Sequence, residues 1–160
     1  DVVFDVKILR QLLDSDHANV LCIDRNIALE DEEVKVIAND QMQVIEVGKS
    51  VDPKLALGES IGIEKISAGT GALLFTELSE MMESRGNLQA YYEAAYAQLV
   101  DQDTQFHALD ISGLDWTEID TAIDFAAANA MFSSPVTTIS RDQQKVLDEA
   151  AEEAPIQTHV

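Results

Sequence analysis

Short apolar runs alternate with segments of helical periodicity along this sequence, and that order most constrains the fold. Residues 20–23 are apolar throughout and predict a buried strand, whereas residues 7–13 carry apolar side chains at helical spacing. Residues 34–37 and 44–47 flank a turn at Asn39-Asp40 and predict a β-hairpin. Strands, helices and a hairpin in this order predict an α/β domain with a mixed sheet flanked by helices.

The remaining elements follow from the same patterns. Further strands are predicted at residues 2–4, 60–63, 106–111 and 116–120, and helices at residues 70–84, 88–100, 121–132 and 141–153. Thr70 and Thr121 are expected to cap their helices, the second with Asp124 at the spacing of a capping box. Because Ser133-Ser134-Pro135 predicts a boundary, we expect one domain over residues 1–132 and a tail or linker over 133–160 towards a possible further domain.

The chain is strongly acidic, with 30 Asp and Glu residues against 10 Lys and Arg residues and a formal net charge of −20. Such a surface repels nucleic acid backbones and anionic membranes, so we expect neither as a partner. No apolar run in the sequence approaches the ~20 residues that span a bilayer. The single cysteine, Cys22, cannot form an internal disulfide, which suits the cytoplasm.

Acidic residues near two predicted strands form a candidate metal site. Glu118 and Asp120 would project from the same face of a strand and stand together at its end. Paired carboxylates suit a hard cation such as Mg²⁺, which takes oxygen ligands. Asp1, just before the first strand, is a candidate further ligand. The alternative is that Glu118 is exposed and Asp120 helps to cap the next helix.

Two lysines at the hairpin are candidates for anion binding. Lys35 and Lys49 are two of only ten basic residues in the chain. A lysine in an otherwise acidic protein is a candidate contact for phosphate, because its ammonium group is a compact point charge. The alternative is that both are solvated lysines that protect an edge strand from aggregation.

Tyrosines on the predicted helix over residues 88–100 are candidates for binding a cation. Tyr91, Tyr92 and Tyr96 lie close together on that helix. Aromatic faces attract quaternary ammonium groups, which favours a small cationic ligand such as phosphocholine. The alternative is that at least one of these rings packs in the core.

These pieces, taken in order, resemble the nucleotidyltransferase superfamily that activates sugar phosphates and phosphorylated small alcohols. The resemblance rests on Asp1-Val2-Val3-Phe4, Asp31-Glu32-Glu33-Val34-Lys35-Val36, Glu46-Val47-Gly48-Lys49, Gly58-Glu59-Ser60-Ile61-Gly62-Ile63, Tyr91-Tyr92-Glu93, Asp110-Ile111 and residues 116–121 with Asp124. The Tyr-Tyr-Glu and Trp-x-Glu-Ile-Asp-Thr segments are most similar to the branch that includes bacterial phosphocholine cytidylyltransferases. The resemblance covers residues 1 to about 132.

The resemblance implies a fold, a reaction and a set of substrates. The fold would be a mixed, Rossmann-like sheet with helices on both faces. The enzyme would use Mg²⁺ to transfer CMP from CTP to a small phosphorylated alcohol such as phosphocholine, and would release pyrophosphate. In the family, a Gly-rich, Arg-containing loop that cradles the triphosphate precedes the aspartate matched by Asp1. We therefore expect the nucleotide-binding part to be missing from residues 1–160, and these residues alone to be inactive.

The resemblance also implies roles for particular residues. Lys49 matches the lysine that contacts the acceptor phosphate, and Glu59 matches the acidic residue near the acceptor. We add Lys35, Tyr91 and Tyr92 as candidates for substrate binding. The metal ligands would be Asp1, Glu118 and Asp120.

Three other interpretations of the sequence stay open at this point. The chain could be a non-catalytic relative that binds a ligand or forms oligomers. It could use a sugar 1-phosphate as the acceptor, or it could be one domain of a fusion protein.

Overall fold

A computed structural model describes residues 1–83 and 92–133 of the chain. Two compact units divide the chain, Asp1–Glu118 and Ile119–Val160. The second unit is described over residues 119–133. The predicted helix at residues 141–153 and most of the predicted tail at 133–160 lie outside the described residues.

The first unit contains a mixed sheet and three helices among its described residues. Its strands are β1 (Val2–Phe4), β2 (Val20–Asp24), β3 (Lys35–Ala38), β4 (Val44–Gly48), β5 (Gly58–Lys65), β6 (His107–Asp110) and β7 (Trp116–Glu118). Its helices are α1 (Val6–Asp14), α2 (Ala68–Glu83) and α3 (Glu93–Asp101). The described part of the second unit contains α4 (Ala122–Phe132).

Five strands form the main sheet in the order β4-β3-β5-β2-β6. β2 and β6 run parallel, while β2–β5, β3–β5 and β3–β4 are antiparallel. β1 and β7 form a separate antiparallel pair, in which Val2 lies opposite Glu118. The α/β class, the mixed sheet and its flanking helices, all predicted from the order of the elements, are confirmed.

β2 lies inside the sheet, and every one of its residues is buried. Leu21 and Ile23 face one apolar cluster, which includes Tyr96 and Leu99 of α3. The alternate residues of β2 face a second cluster, which contains Val20, Cys22, Ile61 and Ile111 together with Ile8 and Leu12 of α1. A strand covered on both faces must be apolar at every position, which explains the unbroken apolar run at residues 20–23.

The predicted first helix and hairpin are both confirmed. α1 begins after Asp5, whose side chain accepts a hydrogen bond from the amide of Lys7 and so caps the helix. β3 and β4 pair antiparallel. In the turn between them, Oδ1 of Asn39 accepts hydrogen bonds from the amides of Gln41 and Gln43. An Asx turn of this kind closes the hairpin by satisfying backbone donors that the ladder leaves unpaired.

Two predicted boundaries were wrong. α2 begins at Ala68 and not at Thr70, because the hydroxyl of Ser67 accepts a hydrogen bond from the amide of Thr70 and takes the capping role. β7 ends at Glu118, whereas the predicted strand continued to Asp120. The predicted helix over residues 88–100 overlaps α3, and its first residues, including Tyr91, lie outside the described part of the chain.

The capping box predicted for the last described helix is confirmed. The hydroxyl of Thr121 accepts hydrogen bonds from the amides of Ile123 and Asp124, and the Asp124 carboxylate accepts one from the amide of Thr121. These hydrogen bonds lower the pKa of Asp124. Within residues 1–83 and 92–133, no helix is both long enough and apolar enough to cross a membrane.

Candidate acceptor site

A cavity of about 250 Å³ in the first unit brings together side chains from several separate segments. We call it the acidic cavity. The segments are the loop before β3, the end of β4, the strands β5 and β7, and the start of α3. Its lining residues are Glu32, Glu33, Val34, Lys49, Glu59, Ser60, Gly62, Tyr92, Glu93 and Glu118. Four of the sequence-predicted site residues, Lys49, Glu59, Tyr92 and Glu118, therefore line one cavity.

The charge of the cavity is strongly unbalanced. Among the described residues that line it, five are glutamates and one, Lys49, is a lysine. Nζ of Lys49 lies 3.4 Å from a carboxylate oxygen of Glu32, whose side chain is 89% exposed. Such a solvated ion pair contributes little stability. The cavity therefore offers one cationic group for an anion and a larger negative region for a cation.

Glu59 holds its proton more tightly than an ordinary glutamate. Burial is the main cause, and the nearby carboxylates of Glu33, Glu118 and Asp24 add to it, so that the pKa of Glu59 is raised to about 7. Lys35 acts in the opposite direction. Near neutral pH, Glu59 is thus poised between a neutral hydrogen-bond donor and a carboxylate that attracts a cation.

The aromatic side of the cavity is built by Tyr92. Its ring packs edge-on against Tyr96, with 6.0 Å between ring centroids and 72° between ring planes. Tyr96 is buried in the core. This agrees with the alternative interpretation, that at least one of the three tyrosines packs in the core. Tyr92 is 45% exposed and lines the cavity. Burial, together with Glu64, Glu93 and Glu118, raises the pKa of the Tyr92 phenol to about 12, so the phenol stays protonated.

Two glycines of β5 lie at positions that disfavour a side chain, for different reasons. A Cβ atom on Gly58 would lie 2.5 Å from the carbonyl oxygen of Asp24. Gly62 has a φ of +72°, and a Cβ atom there would lie 3.6 Å from the hydroxyl of Tyr92. A side chain at Gly58 would thus force β5 away from β2, and a side chain at Gly62 would be strained in the left-handed region.

Lys35 is placed differently from Lys49. It is 1% exposed, and its Nζ donates hydrogen bonds to the backbone carbonyls of Glu30, Asp31 and Glu33 at 2.8, 3.4 and 3.0 Å. Three carbonyls take up the hydrogen-bonding capacity of the ammonium group, which holds the loop before β3 in place. Lys35 does not line the acidic cavity, and its predicted role in substrate binding gains no support from this position.

The predicted metal ligands lie in different parts of the chain. Asp1 precedes Val2, which pairs with Glu118 across the β1–β7 ribbon. Asp120 belongs to the second unit, where its amide donates a hydrogen bond to the carboxylate of Asp124. Because β7 ends at Glu118, the strand alternation that placed Glu118 and Asp120 on one face does not apply. In the described part of the chain, no group of three or more His, Cys, Asp or Glu side chains is arranged to hold a metal ion.

Sequence reasoning missed several lining residues. Glu32, Glu33 and Glu93 were part of the segments that carried the resemblance, but their charge alone did not distinguish them from solvated glutamates. Glu93 was marked only by its position directly after the paired tyrosines. Its place in the cavity depends on α3 packing beside β4, which no local pattern reports.

Solved structures of nucleotide-transferring enzymes share this arrangement of strands and helices. The inositol-1-phosphate CTP transferase from T. maritima matches 82% of this chain and 51% of its own, with a TM-score of 0.58 and 16% identity. A glucose-1-phosphate thymidylyltransferase candidate from Bacillus anthracis, solved with sucrose, matches 81% of this chain and 50% of its own, with a TM-score of 0.56 and 14% identity.

A third similar structure is that of CMP:2-keto-3-deoxy-manno-octonic acid synthetase complexed with CTP. It matches 78% of this chain and 54% of its own, with a TM-score of 0.54 and 14% identity. The chain has the fold of a nucleotidyltransferase. The chain spans about half the length of each of these three proteins. No protein-family model matches the sequence, and no curated protein matches it either.

Proposed function

We propose that the acidic cavity is the acceptor site of a nucleotidyltransferase that moves CMP from CTP to a small phosphorylated alcohol and releases pyrophosphate. The observation that carries the proposal is the composition of the cavity, in which Lys49 stands among five glutamates beside Tyr92. A molecule with a phosphate at one end and a positive charge at the other matches both parts of this lining. The resemblance of the sequence to phosphocholine cytidylyltransferases supports the same class of acceptor.

The reaction needs little proton transfer from the protein. An acceptor phosphate oxygen, ionised at pH 7, attacks the α-phosphorus of CTP in line with the bond to the β-phosphate, and that bond breaks to release pyrophosphate. Because the nucleophile is already an anion, catalysis consists of positioning and charge neutralisation. Lys49 would hold the acceptor phosphate, and Glu59 and Tyr92 would hold its other end.

Mg²⁺ is part of the proposal and would, when bound, neutralise charge on the phosphates. Proteins usually hold Mg²⁺ through one or two carboxylates, with water and substrate phosphates as the other ligands. Asp1 and Glu118 have the hard oxygen donors that such a site requires, and the β1–β7 register brings their backbones close together. The role of Asp120 as a further ligand stays a sequence-based prediction.

A sugar 1-phosphate is the second candidate acceptor. Two of the similar structures carry names that refer to inositol 1-phosphate and glucose 1-phosphate. Against this, a neutral sugar ring would leave the glutamates around Glu59 without a compensating positive charge. We therefore place the cationic alcohol first.

The test measures binding and transfer separately. Calorimetric titration of the 160-residue chain should show phosphocholine or phosphoethanolamine binding at least about tenfold more tightly than glucose 1-phosphate. Lys49→Ala should weaken acceptor binding by a similar factor, whereas Lys54→Ala, at an exposed site outside the cavity, should not. Pyrophosphate release with CTP and Mg²⁺ is then measured for the complete gene product. A preference for glucose 1-phosphate in both assays would exclude the cationic acceptor.

A further inference from the structure

One carboxylate oxygen beside the acidic cavity has no hydrogen-bond partner. Oε2 of Glu93 is inaccessible to solvent and accepts no hydrogen bond in the described part of the chain. A buried polar oxygen without a hydrogen-bond donor is costly, because water no longer solvates it and no protein group replaces the water. In a cavity, an unsatisfied group of this kind can accept a hydrogen bond from a donor on a ligand.

Glu93 lies where a ligand can reach it. It lines the acidic cavity and also a neighbouring cavity of about 340 Å³ between β4 and α3. Of the described residues, Lys49 is the other one that lines both cavities. The terminal torsion of a glutamate side chain is soft, so the carboxylate of Glu93 can reorient within the wall that the two cavities share. One small ligand can therefore contact Lys49 through an anionic group and Glu93 through a second group.

The electrostatic surroundings of Glu93 specify the charge of that second group. Glu59 and Glu118 line the same cavity, and Glu64 also lies close enough to Glu93 for its own pKa to be affected. A neutral donor would satisfy the hydrogen bond of Glu93 but would leave this accumulation of negative charge uncompensated. An ammonium group provides both the hydrogen bond and the charge.

The aromatic lining distinguishes two kinds of ammonium group. Quaternary ammonium ions have no N–H and are recognised mainly by several surrounding aromatic faces. Among the described residues that line the acidic cavity, Tyr92 is the only aromatic one. An ammonium group that keeps at least one N–H can instead donate a hydrogen bond to the unpaired carboxylate oxygen.

We propose that Glu93 is a specificity-determining residue that accepts a hydrogen bond from an N–H-bearing ammonium group of the acceptor. The acceptor would then be a phosphorylated amino alcohol with a primary, secondary or tertiary amine, in preference to its trimethylated form. This inference rests on the proposed function, since it assumes that the acidic cavity holds the acceptor. It goes further by selecting one class among the cationic acceptors.

The experiment uses a series of acceptors that differ only in methylation of the nitrogen. Phosphoethanolamine, its N,N-dimethyl derivative and phosphocholine have the same phosphate and the same carbon chain, but phosphocholine has no N–H. Calorimetric titration of the 160-residue chain should give about tenfold weaker binding for phosphocholine, with the dimethyl compound close to phosphoethanolamine. A gradual decline with each methyl group would indicate a steric effect and would overturn the inference.

Glu93→Gln tests the residue itself. The amide keeps the shape of the side chain but loses its charge, so the preference for phosphoethanolamine should shrink to about threefold or less. Glu46→Gln is the matched control, because Glu46 is exposed on β4 and lines neither cavity. The ligand series on the unmodified chain decides the question even if Glu93→Gln does not fold.

Other outcomes separate this inference from the alternatives. Equal or tighter binding of phosphocholine would overturn it. Mg²⁺ binding, measured without acceptor, would also overturn the inference if it were weaker in Glu93→Gln but unchanged in Glu46→Gln. The carboxylate of Glu93 would then be a metal ligand. If phosphoethanolamine binds with a preference that depends on Glu93 but the complete gene product releases no pyrophosphate, the transfer reaction is wrong and the recognition of the N–H group stands.

Discussion

The indole nitrogen of Trp116 donates a hydrogen bond of 2.8 Å to Oδ2 of Asp24, across a separation of 92 residues in the sequence. The other oxygen of the Asp24 carboxylate accepts a hydrogen bond from the amide of Asn26. Both oxygens of this buried aspartate are therefore satisfied. The bond joins the end of β2 to β7, which carries Glu118 of the acidic cavity.

Removal of the indole donor should destabilise the first unit. Trp116→Phe keeps most of the apolar ring but leaves Oδ2 of the buried Asp24 without its donor, so we expect a loss of about 2 kcal/mol in the free energy of unfolding. Denaturant unfolding followed by circular dichroism measures it. In a double-mutant cycle with Asp24→Asn, the double variant should lose less free energy of unfolding than the sum of the losses in the two single variants. Fully additive losses would show that the bond contributes nothing beyond packing.

The elements that the sequence predicted well are those whose signal is local. The apolar run of β2 and the helical spacing around Ile8 and Leu12 report their own burial. The acidic cavity was only partly predictable, because its lining comes from segments that the sheet brings together. Neither the bond between Trp116 and Asp24 nor the unpaired oxygen of Glu93 has any local signature. Both depend on long-range packing of strands and helices.

The glycine at the start of β5 should not tolerate a side chain. Gly58→Ala would place Cβ 2.5 Å from the backbone carbonyl oxygen of Asp24, and neither strand can move without disturbing the ladder between them. We expect a loss of about 3 kcal/mol or more in the free energy of unfolding.

Gly71→Ala is the matched control for this substitution. Gly71 lies in α2, and a Cβ atom there would meet no other atom within 4 Å. Alanine should therefore stabilise the helix by about 0.5–1 kcal/mol. Thermal unfolding of the two variants measures both effects. Similar midpoints for Gly58→Ala and the unmodified chain would contradict the close approach of β5 and β2.

The stacked rings of His17 and His107 should make stability depend on pH. Their centroids lie 3.5 Å apart, with 9° between ring planes. Burial and the charge of His17 lower the pKa of His107 below its ordinary value of 6.5. As the pH falls below 6.5, the unfolded chain takes up a proton at His107 before the folded chain does, so this contribution to stability is lost.

His17→Phe keeps an aromatic ring in the stack and removes its charge. The pKa of His107, measured by NMR titration of its ring protons, should rise but stay below 6.5, because burial is the larger cause of the shift. The loss of stability between pH 7 and pH 5 should become smaller. An unchanged pKa in this variant would show that the two rings do not interact electrostatically.

The contribution of Glu59 to the free energy of unfolding should decrease as the pH rises, in contrast to that of an ordinary surface glutamate. Its pKa is about 7 in the folded chain against an ordinary value of 4.5. Below pH 4.5, Glu59 is protonated in both the folded and the unfolded chain. Between pH 4.5 and 7, Glu59 of the unfolded chain loses its proton while Glu59 of the folded chain keeps it. The stabilising contribution is therefore lost as the pH rises through 7. Glu59→Gln should therefore be more stable than the unmodified chain at pH 8 and similar to it at pH 4.

The expected gain at pH 8 is about 1–2 kcal/mol, less than the full pKa shift implies, because solvent screens a half-buried carboxylate. Urea unfolding at the two pH values measures it. Glu64→Gln should behave alike, since the pKa of Glu64 is also raised to about 7. Glu46→Gln provides the control, because Glu46 is exposed on β4 and does not line the acidic cavity.

The carboxyl group of Glu59 should couple acceptor binding to the release of protons. A cationic acceptor in the acidic cavity favours the ionised form of Glu59 and lowers its pKa, so binding near pH 7 should release a fraction of a proton. The affinity should consequently increase as the pH rises from 6 to 8. Calorimetric titration with phosphoethanolamine in buffers of different ionisation enthalpy counts the protons. Glu59→Gln should abolish most of the release, whereas proton uptake on binding would show that the ligand presents negative charge to Glu59.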